Sequence, residues 1–452
     1  MKKTLFTTMA VSLALSTVLG ACSSKPDASP SPSAEASAAA KETAKPDATA
    51  KAATPTKLTF WTFVDLHQKY WESMAQSWNQ THPDEPIQLE ATTIPYDDMH
   101  SKLLIALQSK TGAPDLADIE QSKFPNFVRG QSNLVPLDDI VTPVLPNIVK
   151  SRVDIYSKNG KSYGVDYHVG ATVIYYNKEI LDKAGVNPDN IKLWSDLEAA
   201  GKQVLEKTGK PIITFEGNGN WSWWPAISQQ KSDQVDAQGN VTIDNDINIK
   251  TMQFFQKLVN EKVAAVAPGA GHDTEEYFGY MNKGGAASVF MPFWFMGRFT
   301  DKMPDLKGKM IVRPMPAWEA GGNRSAGMGG TATSITDQSK HIELAKKFLT
   351  YSKLTKESGI QIWKQLGFDP IVTDAWTDPA MKASNKFTDY FGNDIFDTLL
   401  KVKNEIAPVN ITDNEPLIFD AIRNKAMPLI FLDKKDPAQV LKSVGDELRK
   451  NR

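Results

Sequence analysis

Cysteine is nearly absent: Cys22 is the only one in 452 residues. That excludes a disulfide framework and a cysteine-based zinc site. An excess of one charge is missing too, with 51 Lys and Arg against 53 Asp and Glu. No basic face is therefore expected to neutralise phosphates, and nucleic acid is not an expected partner. Beyond the N-terminus no run approaches ~18 apolar residues, so the body should carry no spanning helix. H-E-x-x-H and G-x-S-x-G are both missing. Ser228-Gln229-Gln230-Lys231 fits S-x-x-K, but both K-T-G triplets, at Lys110 and Lys207, precede it, the reverse of the order that chemistry uses. Asp244-Asn245-Asp246 starts like a calcium loop, yet Ile249 stands where the turn glycine is required. No metal or cofactor is expected, nor is there an internal repeat of 20–50 residues. What is present is an ordinary globular balance, 41% hydrophobic and 23% charged, sufficient for two or three domains. Tryptophan is plentiful, eleven residues against eleven tyrosines.

Met1-Lys2-Lys3 and the short apolar run to Leu19 have the build of a secretory signal over 1–21. Leu19-Gly20-Ala21-Cys22 resembles the bacterial lipobox, in which the cysteine thiol carries a diacylglyceryl group. Residues 23–56 contain no Leu, Ile, Val, Met, Phe, Tyr or Trp, so they have no apolar surface to offset ordering entropy. With Cys22 they read as a lipidated tether spanning roughly 30–35 Å. The expected location is the outer face of a cell membrane, of Gram-positive type.

From residue 57 the pattern alternates. Strands are expected at 57–63, 87–93, 115–119 and 169–176, and helices at 65–79, 96–109, 249–261, 341–352 and 355–366. Ser195 and Glu198 have capping-box spacing ahead of a helix through Leu205. Strands alternating with helices imply a mainly parallel, helix-covered sheet. The order recurs after residue 170, so two α/β lobes are expected, with crossings near 168–171 and 326–331. The expected division is 57–168 with about 329–385 in one lobe, and 169–328 with about 386–452 in the other. Two crossings make a hinge and an interlobe cleft, where pockets form.

Trp71 and Trp78, seven apart on a helix, read as core. Trp221-Ser222-Trp223-Trp224 and Phe293-Trp294-Phe295 instead follow polar turns or a proline, where binding and packing are equally good explanations. Trp61 ends a strand, a place where α/β sheets present cleft residues. A sugar ring offers an apolar C–H face to an aromatic plane, and its hydroxyls need fixed donors and acceptors. Trp beside acidic and amide groups therefore suits a neutral carbohydrate. Glu120, Asp65 and Asp166 could face such a cleft. A glycan-active enzyme using Glu120 and Asp166 as acid and base, and a surface lectin without a transporter, are the rival readings.

Gly160-Lys161-Ser162-Tyr163-Gly164-Val165, Val173-Ile174-Tyr175-Tyr176-Asn177-Lys178, Met281-Asn282-Lys283-Gly284-Gly285 and Pro292-Phe293-Trp294 occur in an order that resembles the family 1 extracellular solute-binding lipoproteins of bacterial carbohydrate ABC importers. Phe60-Trp61-Thr62-Phe63 with Leu66-His67, Asp166 with His168-Val169-Gly170, Met296-Gly297-Arg298-Phe299 and Arg324 to Thr331 narrow the resemblance. They are similar to the arabinose and arabino-oligosaccharide-binding lipoproteins of bacilli. The resemblance implies a two-lobed periplasmic-binding-protein-like fold, type II and maltose-binding-like. It implies a monomer that captures arabino-oligosaccharide by cleft closure, without catalysis, and delivers it to a permease with a cytosolic ATPase. Residues 217–225, with three Trp, are more aromatic than that subgroup implies, which keeps xylo- and malto-type oligosaccharides as alternatives. By position, Trp221 and Trp294 become stacking residues, with Trp223 beside them. Glu120, Ser122 and Lys123 become first-lobe contacts. Trp61, Asp65, Asp166, His168, Arg298 and Gly330 complete the expected sugar-binding set. His168 is either a donor to a hydroxyl or a satisfied interlobe histidine.

Overall fold

The computed structural model describes residues 53–450; the expected signal, Cys22 and nearly all of the tether lie outside the described residues. Ten strands build two five-stranded sheets. In chain order they are β1 (Thr56–Thr62), β2 (Ile87–Thr93), β3 (Leu116–Glu120), β4 (Val165–Asp166), β5 (Thr172–Asn177), β6 (Ile213–Phe215), β7 (Ala264–Val266), β8 (Ser288–Pro292), β9 (Met310–Pro314) and β10 (Thr331–Ile335). The first sheet runs β2-β1-β3-β10-β4 and the second β9-β5-β8-β6-β7. Each sheet is the centre of one lobe of an α/β fold.

Neither sheet is mainly parallel, which corrects the expectation from the alternating pattern. β1 is parallel to β2 and β3, but β10 is antiparallel to β3 and β4. In the second sheet β5 is antiparallel to β8 and β9, whereas β6 is parallel to β8 and β7. β5 and β10 are the strands that enter from the other lobe. They arrive without the helical crossover that forces parallel pairing, so they are free to run against their neighbours.

Helix Asp65–Thr81 buries His67, Tyr70, Trp71, Met74, Ala75 and Trp78 on one face, the three-and-four spacing of an amphipathic helix. It packs with helices Ile342–Lys353 and Lys356–Leu366 over the first sheet. Trp71 and Trp78 are core, as their spacing implies. Helix Trp194–Thr208 starts where expected, but Ser195 and Glu198 form no capping box. Asp196 takes the role instead, its carboxylate accepting from the backbone N–H groups of Lys192 and Leu193 at 3.0 and 2.8 Å. The C-terminal helix Pro437–Lys450 packs on helix Asp246–Asn260 beside the second sheet.

The chain passes between lobes at 167–171 and again at 327–330, with residues 369–372 laid alongside. Val169 N–H donates to Asp369 O at 2.9 Å, Ala171 N–H to the Asp369 carboxylate at 2.7 Å, and Met328 N–H to Gly170 O at 2.9 Å. Gly170 has φ +78°, and a Cβ there would stand 2.5 Å from Met328 O. This position needs glycine for both conformation and space. Gly112 has φ +79° but open surroundings. Gly112→Ala should therefore cost about 1 kcal/mol and Gly170→Ala at least about 2–3 kcal/mol. Calorimetric unfolding of the two variants checks this, with the larger fall in Tm expected for Gly170→Ala.

Candidate functional site

Between the two sheets lies a cavity of about 300 Å³. The first lobe contributes Phe63, Val64, His67, Tyr96, Asp97, Glu120 and Phe368, and the crossing contributes His168, Gly329, Gly330 and Thr331. The second lobe contributes Glu216, Asn218, Gly219, Trp221, Gly271, Asp273, Thr274, Trp294, Arg298, Phe419 and Arg423. Phe63, Glu120, Glu216 and Trp294 sit at or just past the ends of β1, β3, β6 and β8, the carboxyl edges where α/β sheets bind ligands. A larger cavity of about 750 Å³ backs onto the crossing at Val169 and Gly327 and contains none of the expected sugar-binding residues.

Trp221 and Trp294 meet nearly at right angles, 79° between planes with centroids 5.3 Å apart. Two perpendicular faces let a sugar ring lie on one indole while its edge meets the other. Trp294 follows the end of β8, and its indole N–H donates to Met328 O at 3.3 Å. Gly329 leaves the space, since a Cβ there would come within 2.9 Å of that nitrogen. Trp221 is held by Glu216, whose carboxylate accepts from Trp221 N–H at 2.9 Å and His272 N–H at 3.1 Å. One buried carboxylate thus fixes two cavity loops. Burial raises that carboxyl to about 7, with the two backbone donors offsetting part of the rise.

Across the cavity, Glu120 accepts from Ser122 N–H at 2.8 Å and Tyr96 O–H at 3.0 Å through the same oxygen. Burial raises this carboxyl to about 7 as well, against the bonds from Ser122 and Tyr96 and the Lys123 charge. His100 Nε2 accepts from Glu120 N–H at 3.1 Å while Nδ1 meets Tyr96 O at 2.7 Å. These partners assign the proton to Nδ1, and burial holds the ring neutral with a value near 4.

His67 is arranged similarly. Its Nδ1 meets Asp118 at 2.8 Å, and that carboxylate also accepts from Thr62 at 2.8 Å, Thr333 at 2.6 Å and Tyr167. Burial lowers the His67 value against the pull of Asp118, so the ring is neutral with Nδ1–H on Asp118. Its Nε2 lone pair is left for the cavity that the ring lines. His168 also lines the cavity. Its Nδ1 is buried without a partner, and burial lowers the ring to about 3. A neutral histidine of this kind exchanges hydrogen bonds with a hydroxyl without introducing charge.

Six of the expected residues line the cavity: Glu120, His168, Trp221, Trp294, Arg298 and Gly330. Arg298 is already engaged, its guanidinium on Asp273 at 2.7 and 3.1 Å. Gly330 lines the cavity as a glycine, since a side chain there would collide with the Arg152 guanidinium. Trp61 does not reach the cavity; it packs against the first-lobe core cluster that includes Met99 and Leu103, with Lys102 4.5 Å over its ring. Asp65 is exposed in the first turn of its helix, where its charge bears on Arg298. Ser122 is buried and serves Glu120 through its backbone. Lys123 bridges Asp97 and Asp420 across the lobes, 3.7 Å from each. Trp223 is core of the second lobe, its indole N–H donating to Asn248 O at 3.2 Å. Asp166 faces away from the cavity. One oxygen takes both Arg152 contacts, at 2.8 and 2.5 Å, and the other accepts from Tyr167 and Thr331 N–H. An acid–base pair of Glu120 with Asp166 therefore does not exist. Among the described residues no group of three His, Cys, Asp or Glu is placed to hold a metal ion; Asn245 of the calcium-like segment caps a helix instead.

Sequence reasoning missed His67, Tyr96, Glu216, Phe419 and Arg423 as cavity residues. Glu216 immediately precedes the glycine–asparagine turn, a signal that could have found it. Phe419 and Arg423 come from a C-terminal helix with no local sign of a cleft.

The model of the bacterial extracellular solute-binding protein family matches residues 65–357. The chain is 46% identical over 409 residues to the arabinooligosaccharide-binding protein of Bacillus subtilis, covering 87% of this chain and 92% of that one. It is also 46% identical to the arabinooligosaccharide-binding protein of Halalkalibacterium halodurans, covering 88% of this chain and 89% of the relative. Among solved structures, the GacH receptor of Streptomyces glaucescens superposes with a TM-score of 0.73 at 22% identity, covering 88% and 98% of the two chains. An ABC-transporter-associated binding protein from B. animalis subsp. lactis, solved with β-1,6-galactobiose, gives 0.75 at 20% identity, covering 87% and 97%. These likenesses show a two-lobed, maltose-binding-like fold.

The Glu120 carboxyl value, raised in the folded protein, has a consequence for stability. The folded state keeps a proton that the unfolded chain loses near 4.5, so stability falls as pH rises from about 4.5 to about 7 and then levels off. Glu120→Gln removes that penalty. Relative to the unmodified protein, it should gain about 2 kcal/mol more at pH 8 than at pH 5. Denaturant unfolding at the two pH values checks this; equal differences would show that the carboxyl titrates normally.

Proposed function

Since this chain belongs to the family of bacterial extracellular solute-binding proteins, the capture components of ABC importers rather than enzymes, we propose that it captures arabino-oligosaccharides and delivers them to a membrane permease. The observation that carries this reading is the perpendicular Trp221–Trp294 pair in an interlobe cavity, faced by Glu120 and His67. The pair offers flat apolar faces for sugar rings. The neutral histidines and the Glu120 and Glu216 carboxyls, raised to about 7 by burial, offer donors and acceptors for hydroxyls. The 46% relatives support arabinose units as the sugar.

In this reading, ligand contacts from both lobes form together only when the cleft is closed, and that differential affinity shifts the population toward closure. Lys123 with Asp420 at 3.7 Å, Arg423 with Asp97 at 3.6 Å and Lys158 with Asp413 at 2.6 Å join the lobes across the cleft. The protein works as a monomer, held by lipid on Cys22 at the outer face of a Gram-positive membrane.

Titration calorimetry with linear arabino-oligosaccharides should give saturable one-to-one binding, with malto- and xylo-oligosaccharides weaker. Trp294→Ala should weaken it at least about tenfold, ~1.4 kcal/mol; affinity unchanged within a factor of two would remove the stacking site. Cys22→Ser should move the protein from the membrane fraction to the medium, and unchanged fractionation would rule out the lipid anchor.

A further inference from the structure

Lys353 ends the helix Ile342–Lys353, and its side chain is wholly buried. Taking an ammonium out of water is expensive, so such a lysine needs partners that answer its charge. It donates to Val165 O at 2.8 Å and stands 3.1 Å over the centre of the Tyr167 ring. His67 stacks on the same ring, with centroids 4.3 Å apart and 29° between planes. One face has no room for both. Tyr167 is therefore sandwiched between the lysine and a histidine that lines the cavity.

Asp118 on β3 joins the same group. Its carboxylate meets His67 Nδ1 at 2.8 Å and accepts from Tyr167 O–H at 3.1 Å, besides the hydroxyls of Thr62 and Thr333. An opposite charge favours the charged form, so a buried carboxylate with no other cation pulls a proton onto the histidine bonded to it. Lys353 supplies that other cation. Arg152 is committed to Asp166 and Arg298 to Asp273, whereas the Lys353 charge bears on Asp118. Burial lowers His67; the charges of Lys353 and of Arg298, from the second lobe, act the same way against the pull of Asp118. Burial also lowers Lys353, to about 7, against Asp118 and Asp166. His168 and Glu120 are the other titratable groups of the first-lobe side that line the cavity with His67, apart from Tyr96 and Asp97.

We propose that Lys353 is a positioning residue for the sugar site: its buried charge answers Asp118, so that His67 stays uncharged and turns a bare Nε2 to the cavity as acceptor for a sugar hydroxyl. This rests on the oligosaccharide-capture reading above and deepens it. Without Lys353 the His67–Asp118 pair takes up a proton as pH falls, Nε2 gains a hydrogen, and the acceptor is lost. Above about 7 Lys353 itself gives up its proton, so removing it then matters little.

The test compares the full-length protein with Lys353→Met and with Lys353→Met/Asp118→Asn between pH 5 and pH 8. Histidine nitrogen NMR, assigned against His67→Gln, reads the protonation of Nε2, and calorimetry reads arabinotriose affinity. Each variant is compared with the unmodified protein at the same pH, which cancels the titration of Glu120, Glu216 and His168. In the unmodified protein Nε2 should carry no hydrogen throughout. In Lys353→Met, His67 should charge at least about one pH unit higher. Its arabinotriose affinity should be at least about fivefold weaker at pH 5 and within about twofold at pH 8. The double variant should return His67 to neutral and make the relative affinity independent of pH. A loss of affinity equal at every pH would show a merely structural lysine and overturn the proposal. A protonated Nε2 in the unmodified protein above pH 5 overturns it too, and carries the test if Lys353→Met fails to fold. A shifted His67 with unchanged relative affinity overturns the role in binding while leaving sugar capture standing. Failure of the unmodified protein to bind any neutral trisaccharide overturns the capture reading, and the NMR titration still decides whether Lys353 governs His67.

Discussion

The buried ion pair of Arg152 with Asp166 organises the middle of the molecule. Arg152 lies on a short helix of the first lobe, and its guanidinium meets Asp166 at the end of β4, the carbonyl of Gly329 on the second crossing and the amide oxygen of Gln121 beside the cavity. Asp166 spends its remaining oxygen on the backbone of Tyr167 and Thr331, so both crossing segments hang on one carboxylate. Burial alone would push the Asp166 carboxyl up; the Arg152 guanidinium outweighs it and holds the carboxyl below the ordinary range. A pair so buried is a poor source of net stability, but losing either partner leaves an uncompensated charge at a cost of about 3–5 kcal/mol. Gly330 follows from it, because no side chain fits beside that guanidinium. The register of β10 against β3 and β4 starts from the segment this pair secures.

From that centre the two walls of the cavity are built by different means. The first-lobe wall is a set of rings and carboxylates: Phe63 edge-on to Tyr96 at 5.2 Å, His100 and His67 each neutral, and Glu120 accepting from Tyr96 and Ser122. The second-lobe wall is made of loops, and loops need something to hold them. Glu216 does this from within, accepting one N–H from each of two loops. The result is a pocket that combines aromatic planes with buried histidine rings and carboxyls.

Much of the chain was legible before any tertiary contact was known. Strand 87–93 and helix 96–109 came from local periodicity with their observed ends. Trp71 and Trp78 were identified as core by spacing alone. Glu120 stands among the expected contacts because the family resemblance carries that role to the residues following the third strand. Errors arose where a side chain's role depends on a distant partner. Asp166 looks like a cleft carboxylate until Arg152 is placed beside it. Trp223 and Trp221 are two residues apart in the same aromatic run, yet one is core and the other lines the cavity. Trp61 alternates with Phe60 on β1, and the choice of face put Phe60 in the core and Trp61 against Lys102.

The sequence by itself determined many of the elements, the two-lobe pattern, and the presence of tryptophans on polar turns. These follow from side-chain periodicity and from local backbone preference, which act over a few residues. Only the tertiary structure decided the strand directions at the lobe junction, the neutral forms of His67 and His100, the pairing that withdraws Asp166 from the cavity, and the arrival of Phe419 and Arg423 from the C-terminal region. Hydrogen-bond partners and desolvation set each of these, and both depend on segments separated by tens to hundreds of residues. No local pattern can encode which of those segments will meet.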